Sequence, residues 1–432
     1  MPARKIVLIG AGSVSFTAGL VADLLASEIA SDLTLGLVDI NPQALEIAQG
    51  LVQRMVQTKQ LPVKIEASVD RCDVLPGADA VVTTIAVGGR KGWEDDVMIP
   101  LRHGVRQPVG DTVMAGGISR ALRQIPPMLD IARDVGRLCP DALFFNYSNP
   151  MAAICRAVRK ATGVPVVGLC HGVQGTLRYL CKLVDVPYDQ VQAQYVGINH
   201  LTFITHFTRD GENLWPLVDQ KAAQLPADEN PFSWELYRTL GAFPAVLDRH
   251  VMEFFPERFG RGDYYGKTIG VDAYNIMETI RGGDSRFEHM ARMARGEEPL
   301  DEGLLQRVLG EHEALVPILV SAFADRGEVF PMNVPNQTVP QIPEGFVLEQ
   351  PVAATAAGCL PVAPPPVPPA IAAWITEALY GVEITVEAAL SGDRRTLVQA
   401  LLYDRCVPDL PTAQALAEDL LAAHRQHLPQ FA

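Results

Sequence analysis

The feature that most restricts how this chain can fold is a short apolar run, Lys5 to Ile9, that turns at once on Gly10-Ala11-Gly12 into a helical stretch from about Phe16 to Ser27. Strand, glycine turn and helix in that order open a βαβ unit. The first glycine permits the tight turn, and the second lets the backbone approach a pyrophosphate that the helix N-terminus then faces. Ser15 takes the third small position. The next apolar run, Leu33 to Asp39, ends in an acid, where a carboxylate would accept from ribose hydroxyls and repel the extra phosphate of NADP. Gly10, Gly12, Ser13, Ser15, Phe16 and Asp39 are therefore the candidate NAD contacts. The competing reading is an ordinary βα turn followed by a surface aspartate.

The alternation continues. Pro42 to Thr58 has helical spacing, and Ala80 to Ile85, Ala142 to Asn146 and Val164 to Leu169 are further apolar strands. Strands separated by helices predict a Rossmann-type, doubly wound parallel sheet covered on both faces. The character changes after about Ile198, where aromatics, acids and arginines become denser. We therefore expect residues 1–197 to form the nucleotide-binding domain. Residues 198–432 are expected to form a second, α+β domain that binds substrate, completes a metal site and mediates oligomerisation. Within it, Glu328 to Pro369 carries many of the 33 prolines. That stretch reads as extended or looping chain that still packs through Ile342, Phe346, Val347 and Leu348; a linker between independent domains is the alternative. Ile371 to His427 is helical by period.

Composition narrows the class of function. A formal net charge of −14 over 432 residues argues against a nucleic-acid partner, because such proteins present a basic face. No apolar run is long enough for a membrane span, and the N-terminal run lacks a cleavage site. Seven cysteines in no paired spacing suit free thiols in a reducing, cytoplasmic setting.

Ligands of open α/β sheets bind at the carboxyl ends of the strands. Cys170-His171-Gly172 follows one predicted strand there, and Asn146 and Asn149 follow another. His200 stands further on, in GINH. Cys170 and His200 could share a divalent metal with substrate oxygens completing the shell, although a buried thiol and a hydrogen-bonded core histidine are the plainer readings. The glycine-marked loop Asp111 to Gly117 leads into a helix carrying Arg120 and Arg123. It suits a cover over a sugar or the nicotinamide, and equally a simple helix start.

Taken together, the segments GAGSVSF, VDINP, GDTVMAGGISRALRQIP, NYSNPMA, GLCHGVQGT, GINH and HVMEFFP resemble, in the same order, those of glycoside hydrolase family 4. The resemblance implies a lactate/malate dehydrogenase-like fold and a departure from the two-carboxylate scheme of most glycosidases. It implies hydride removal from C3 of the sugar by NAD, acidification of the C2 proton by a divalent metal, usually manganese, and elimination of the glycosidic oxygen. Water addition and return of the hydride complete the cycle. Residue by residue, Cys170 and His200 match the family's metal ligands and Asn149 a sugar-contacting asparagine. Asp111 and Arg120 are further substrate candidates. His171 occupies the position of a general acid. For the base, Tyr264, Tyr265 and Tyr274 are available, but DRHVMEFF departs from the tyrosine pattern and points to Asp248, with His250 as the other choice.

CHGV at the family's cysteine is similar to members acting on unphosphorylated α-glycosides. A galactoside, a glucoside and a glucuronide or galacturonide all remain open. Arg90, Lys91 and Arg106 could pair with a uronate carboxylate. The resemblance also implies a homodimer or homotetramer. Two other functions stay in view: an NAD-dependent sugar or 2-hydroxy-acid dehydrogenase, and a non-catalytic NAD-sensing protein.

Overall fold

Ile6 and Leu8 pack in one apolar core and Val7 and Ile9 in another, so the first strand is apolar on both faces and needs helices on both. A computed structural model describes residues 3–306 and 313–432 of the chain. Its early strands are β1 (Arg4–Ile9), β2 (Leu33–Val38), β3 (Lys64–Ser68), β4 (Ala80–Thr83), β5 (Leu143–Asn146) and β6 (Val166–Gly168). Next come β7 (Val191–Ile198), β8 (Leu201–Arg209), the short β9 (Glu212–Asn213) and β10 (Phe243–Ala245). The last are β11 (Asp263–Tyr264), β12 (Lys267–Thr268), β13 (Glu328–Pro335), β14 (Val347–Thr355) and β15 (Gly358–Pro361).

Strands β3-β2-β1-β4-β5-β6 run parallel in that spatial order, and the order reverses beside β1, as in doubly wound sheets. One face packs on helices Met114–Leu138 and Met151–Thr162, the other on Thr17–Ala26 and Pro42–Lys59. This is the Rossmann-type, doubly wound parallel sheet that the sequence predicts. Beyond β6 the same sheet continues through antiparallel strands β13, β14, β7, β8 and β10. The proline-rich stretch therefore supplies two long central strands. It then enters the helix Pro369–Ser391 with proline at the first turn, where the missing N–H costs nothing. Two further helices, Arg394–Tyr403 and Leu410–His424, close the C-terminus against the core that holds Met114–Leu138.

This arrangement puts the ends of β1, β2, β4, β5 and β6 along one edge. The turn between β7 and β8 brings His200 into the same neighbourhood, since its Nδ1 lies 2.6 Å from Thr112 Oγ1 and the adjacent Asp111 is reached by Asn149 from the end of β5. Among the described residues, no helix is long and apolar enough to cross a membrane.

Candidate active site

At the first crevice loop, Gly10 has φ 93°, and a Cβ there would lie 2.9 Å from the Thr84 carbonyl carbon. A Cβ on Gly12 would meet the Asp39 carboxylate at 2.9 Å. Asp39 accepts from Gly12 N at 2.8 Å and Asn41 N at 2.9 Å, so it fixes the turn and stands beside it. Ser13 N donates to Gly10 O, and Ser15 precedes Phe16, which opens the helix without a side-chain cap and packs on Tyr147 with ring centroids 5.0 Å apart. A glycine turn against an uncapped helix N-terminus with no acid in its first turn is a fitting cradle for a pyrophosphate.

A second cluster gathers residues far apart in the sequence. One ligand atom each from Asp111, His200, His250 and Glu253 lie within 4.8 Å of one another. His200 sits on the β7–β8 turn at φ 72°, a left-handed conformation that costs a non-glycine residue energy and persists only where the surroundings impose it. Val246 at φ 80° and Leu247 at φ 58° show the same strain just before Asp248–Val251, the short helix that carries His250.

Hydrogen bonds set the tautomers here. Thr112 Oγ1 donates to Asp111 Oδ1 at 3.0 Å and lies 2.6 Å from His200 Nδ1. A hydroxyl has one proton, so with that proton on Asp111 the oxygen accepts from His200 Nδ1–H, which leaves Nε2 bare. His250 Nδ1 pairs with Glu253 Oε1 at 3.0 Å, which leaves its Nε2 bare in the same way. The two rings lie with centroids 4.0 Å apart and planes tilted by 39°. Burial resists ionisation of Asp111, but His250, Arg120 and His200 outweigh it and hold the carboxyl below its ordinary value. Burial, with His250 beside it, drives His200 well below the usual histidine range. Burial pushes Glu253 up against the pull of His250.

Cys170 stands outside that four-residue group. Gly172 N donates to its sulfur at 3.3 Å, and burial with Glu349 nearby raises its thiol far above the usual value. His171 is 61% exposed at its side chain and pairs through Nδ1 with Glu313 Oε1 at 3.3 Å, a contact that raises its pKa. Asn149 Nδ2 reaches Asp111 Oδ2 at 3.4 Å, and Arg120 Nε donates to the Asn149 carbonyl at 3.2 Å. Burial lowers the Arg120 pKa despite Asp111 and Asp96. Asn149 Oδ1 is buried without a hydrogen-bond partner, as expected where a ligand supplies the missing contact.

Several sequence candidates lie elsewhere. Asp248 accepts from Phe232 N, Ser233 N, Ser233 Oγ and Tyr264 OH at 2.9, 2.7, 2.6 and 2.7 Å, so its carboxylate ties the start of helix Pro231–Leu240 to β11. Asp248→Ala is expected to cost about 3 kcal/mol of stability, since it strands several buried donors. Denaturant unfolding measures this, and a loss near zero would leave the carboxylate free for other work. The hydroxyls of Tyr264 and Tyr265 donate to Asp248 and Glu235, and burial raises both phenols and that of Tyr274, so none is poised as a base. Arg90 pairs with Asp284, Lys91 with Glu94 and Asp95, and Arg106 donates to the Ile269 carbonyl. Arg123 is buried in a two-bond pair with Asp96 and holds the Val87 carbonyl at 2.9 Å. Sequence reading missed Glu253 and Glu313. Glu253 lay in plain view three residues after His250, at one-turn spacing.

The sequence model for the family 4 glycosyl hydrolases matches residues 5–186, and that for the family's C-terminal domain matches residues 195–407. An alpha-galactosidase of Bacillus subtilis is 29% identical over 99% of this chain and 100% of its own length. An alpha-galacturonidase of the same organism is 28% identical over 96% of each chain. The solved 6-phospho-beta glucosidase of Thermotoga maritima with manganese, NAD+ and glucose-6-phosphate superposes with a TM-score of 0.83 at 23% identity. That superposition covers 98% of this chain and 99% of that one.

Proposed function

The chain belongs to family 4 of the glycosyl hydrolases, and from that premise we propose that it cleaves an unphosphorylated α-glycoside through chemistry at the sugar's C3 and C2. The observation that carries this reading is the His200–His250–Asp111–Glu253 cluster on a fold that also presents an uncapped glycine turn with Asp39 beside it. The CHGV motif and the galactosidase and galacturonidase relatives support a galactoside or uronide as the sugar. The free state of all seven cysteines supports a reducing, cytoplasmic compartment.

Both cofactors fit the residues present. Gly12, Asp39 and the opening turn of Thr17–Ala26 would hold NAD, and His200 with Asp111 would hold a divalent cation such as manganese, with Cys170 as a further donor. NAD supplies reversible hydride transfer at C3, and the cation supplies positive charge beside the resulting oxygens. The chain does the rest. Thr112 keeps the His200 Nε2 lone pair directed at the ligand. His250, oriented by Glu253, takes the C2 proton on its bare Nε2, the arrangement of a base held by a carboxylate. His171, its pKa raised by Glu313, gives a proton to the departing glycosidic oxygen. Asn149 and Arg120 position the sugar.

The direct test is incubation with chromogenic α-galactoside and α-galacturonide, NAD, manganese and a thiol reductant. Hydrolysis without net NADH supports this reading; accumulating NADH means a dehydrogenase; silence with every α-glycoside means neither. A second expected result concerns Asp39. Asp39→Ala should weaken NAD binding about tenfold or more, because charged hydrogen bonds to the ribose are worth roughly 1.5–3 kcal/mol. Calorimetric titration checks it, and unchanged affinity would remove Asp39 from the cofactor site.

A further inference from the structure

Beside the catalytic cluster lies a partly open cavity of about 90 Å³, lined by the helices Met114–Leu138, Pro369–Ser391 and Arg394–Tyr403 and the segment 253–256. None of Asp111, Asn149, Cys170, His171, His200 or His250 lines it. Its walls are mostly apolar, with Trp374, Phe254 and Phe255 among them, and the exposed Tyr403 and Arg405 mark its mouth.

Three carboxylates interrupt this apolar lining, Glu253, Glu377 and Asp404, and of these Glu377 pairs with Arg405 at 3.7 Å. Glu253 is 1% exposed, and its Oε2 has no hydrogen bond; Asp404 Oδ2 is likewise buried and unpaired. Burial lifts the Asp404 carboxyl to about 7, only partly offset by the Cys406 and Ala115 backbone N–H groups. Arg405 offsets Asp404 only in part, because its guanidinium also pairs with Glu257 at 3.3 Å and Glu377 at 3.7 Å. Unpaired acidic oxygens in an apolar chamber are costly, and a bound cation relieves that cost. A bare metal ion would demand a fuller shell of oxygens than two acids provide. An alkylammonium instead matches the inner walls, away from Arg405 at the mouth: charge for the carboxylates, methyl groups for the aliphatic side chains and a cationic face for the aromatic rings.

The cavity also shares two residues with the catalytic cluster. Thr112 and Glu253 line it, and they are the Nδ1 partners of His200 and His250. We propose that this cavity is a second ligand site, for a small organic ammonium, and that Thr112 and Glu253 couple it to the two histidines. Binding there does not depend on which glycoside the enzyme cleaves.

The probe is tetramethylammonium, set against tert-butanol as a neutral ligand of similar size and sodium chloride at equal ionic strength. With the full chain, the Met114 methyl signal reports occupancy and the His200 and His250 ring signals report coupling. Tetramethylammonium should shift Met114 saturably and bind about tenfold or more tighter than tert-butanol. Asp404→Asn should weaken it by a similar factor, and Ala378→Phe should abolish it by filling the cavity. Should Ala378→Phe fail to fold, Asp404→Asn decides. Equal binding of the neutral probe, indifference to Asp404→Asn, or no saturable shift overturns the site. Saturation with unmoved histidine signals overturns the coupling.

Discussion

His200→Ala should lower hydrolysis by about 10³-fold or more and sharply weaken divalent-metal binding, while NAD affinity stays largely as it was. His200 is buried and held at a strained φ, with Nδ1 committed to Thr112 and Nε2 free for a ligand. No neighbour can replace it, because the paired His250 ring is already oriented by Glu253. Thr112→Val should reproduce part of the loss, roughly 10–100-fold in metal affinity, by releasing the tautomer without removing the ring. Cys170→Ser divides the possible ligand sets. The thiol lies outside the four-residue group, so if His200 and Asp111 hold the cation without it, metal affinity survives the change. If the thiol is a ligand, affinity collapses as it does in His200→Ala. Metal titration of the NAD-loaded protein separates these outcomes. Full activity in His200→Ala, after chelation and readdition of manganese, would sink the assignment.

The sequence disclosed those parts of the molecule whose physics is local. A strand, a glycine turn, a helix and a closing acid lie within the first 39 residues, and each constrains the next. The central antiparallel strands were hidden for the opposite reason. β14 buries Glu349 and Gln350 and carries Pro351, so its pattern lacks the apolar alternation that announces a strand. The partners of those polar residues come from elsewhere in the chain: Glu349 accepts from Thr202 at 2.6 Å and Asn333 at 3.2 Å, while Thr338 donates to Gln350 Oε1 at 2.7 Å. The acid–base residues were hard to rank on the same ground. Asp248 and His250 are two residues apart in DRHV, yet one staples the fold and the other faces His200. Only the strained turn at Val246–Leu247 decides which side chain looks where. Glu313 could not have been linked to His171 by spacing at all, since a whole domain's length of chain separates them.

The sharpest expected result concerns a single hydrogen. When the reaction runs in heavy water, the released sugar should carry deuterium at C2 and keep its original hydrogen at C3. The C2 proton passes to an imidazole Nε2, and a ring nitrogen exchanges with solvent far faster than a C–H bond re-forms. The C3 hydrogen instead travels as hydride and returns to the same carbon within one turnover, so solvent never sees it. An ordinary sugar C2–H is far too weak an acid for a histidine to remove, which makes exchange at C2 diagnostic of oxidation at C3. Direct displacement at C1, by nucleophile or by water, touches neither bond and leaves both positions unlabelled. His250→Ala should suppress the C2 label and hydrolysis together, whereas His171→Ala should spare exchange more than cleavage when the leaving group is poor, if His171 is the acid that serves the departing oxygen. Removal of NAD should stop hydrolysis although no net oxidation occurs. Cleavage by a thoroughly NAD-free sample, giving sugar without deuterium at C2, would refute the route and return the chain to displacement chemistry.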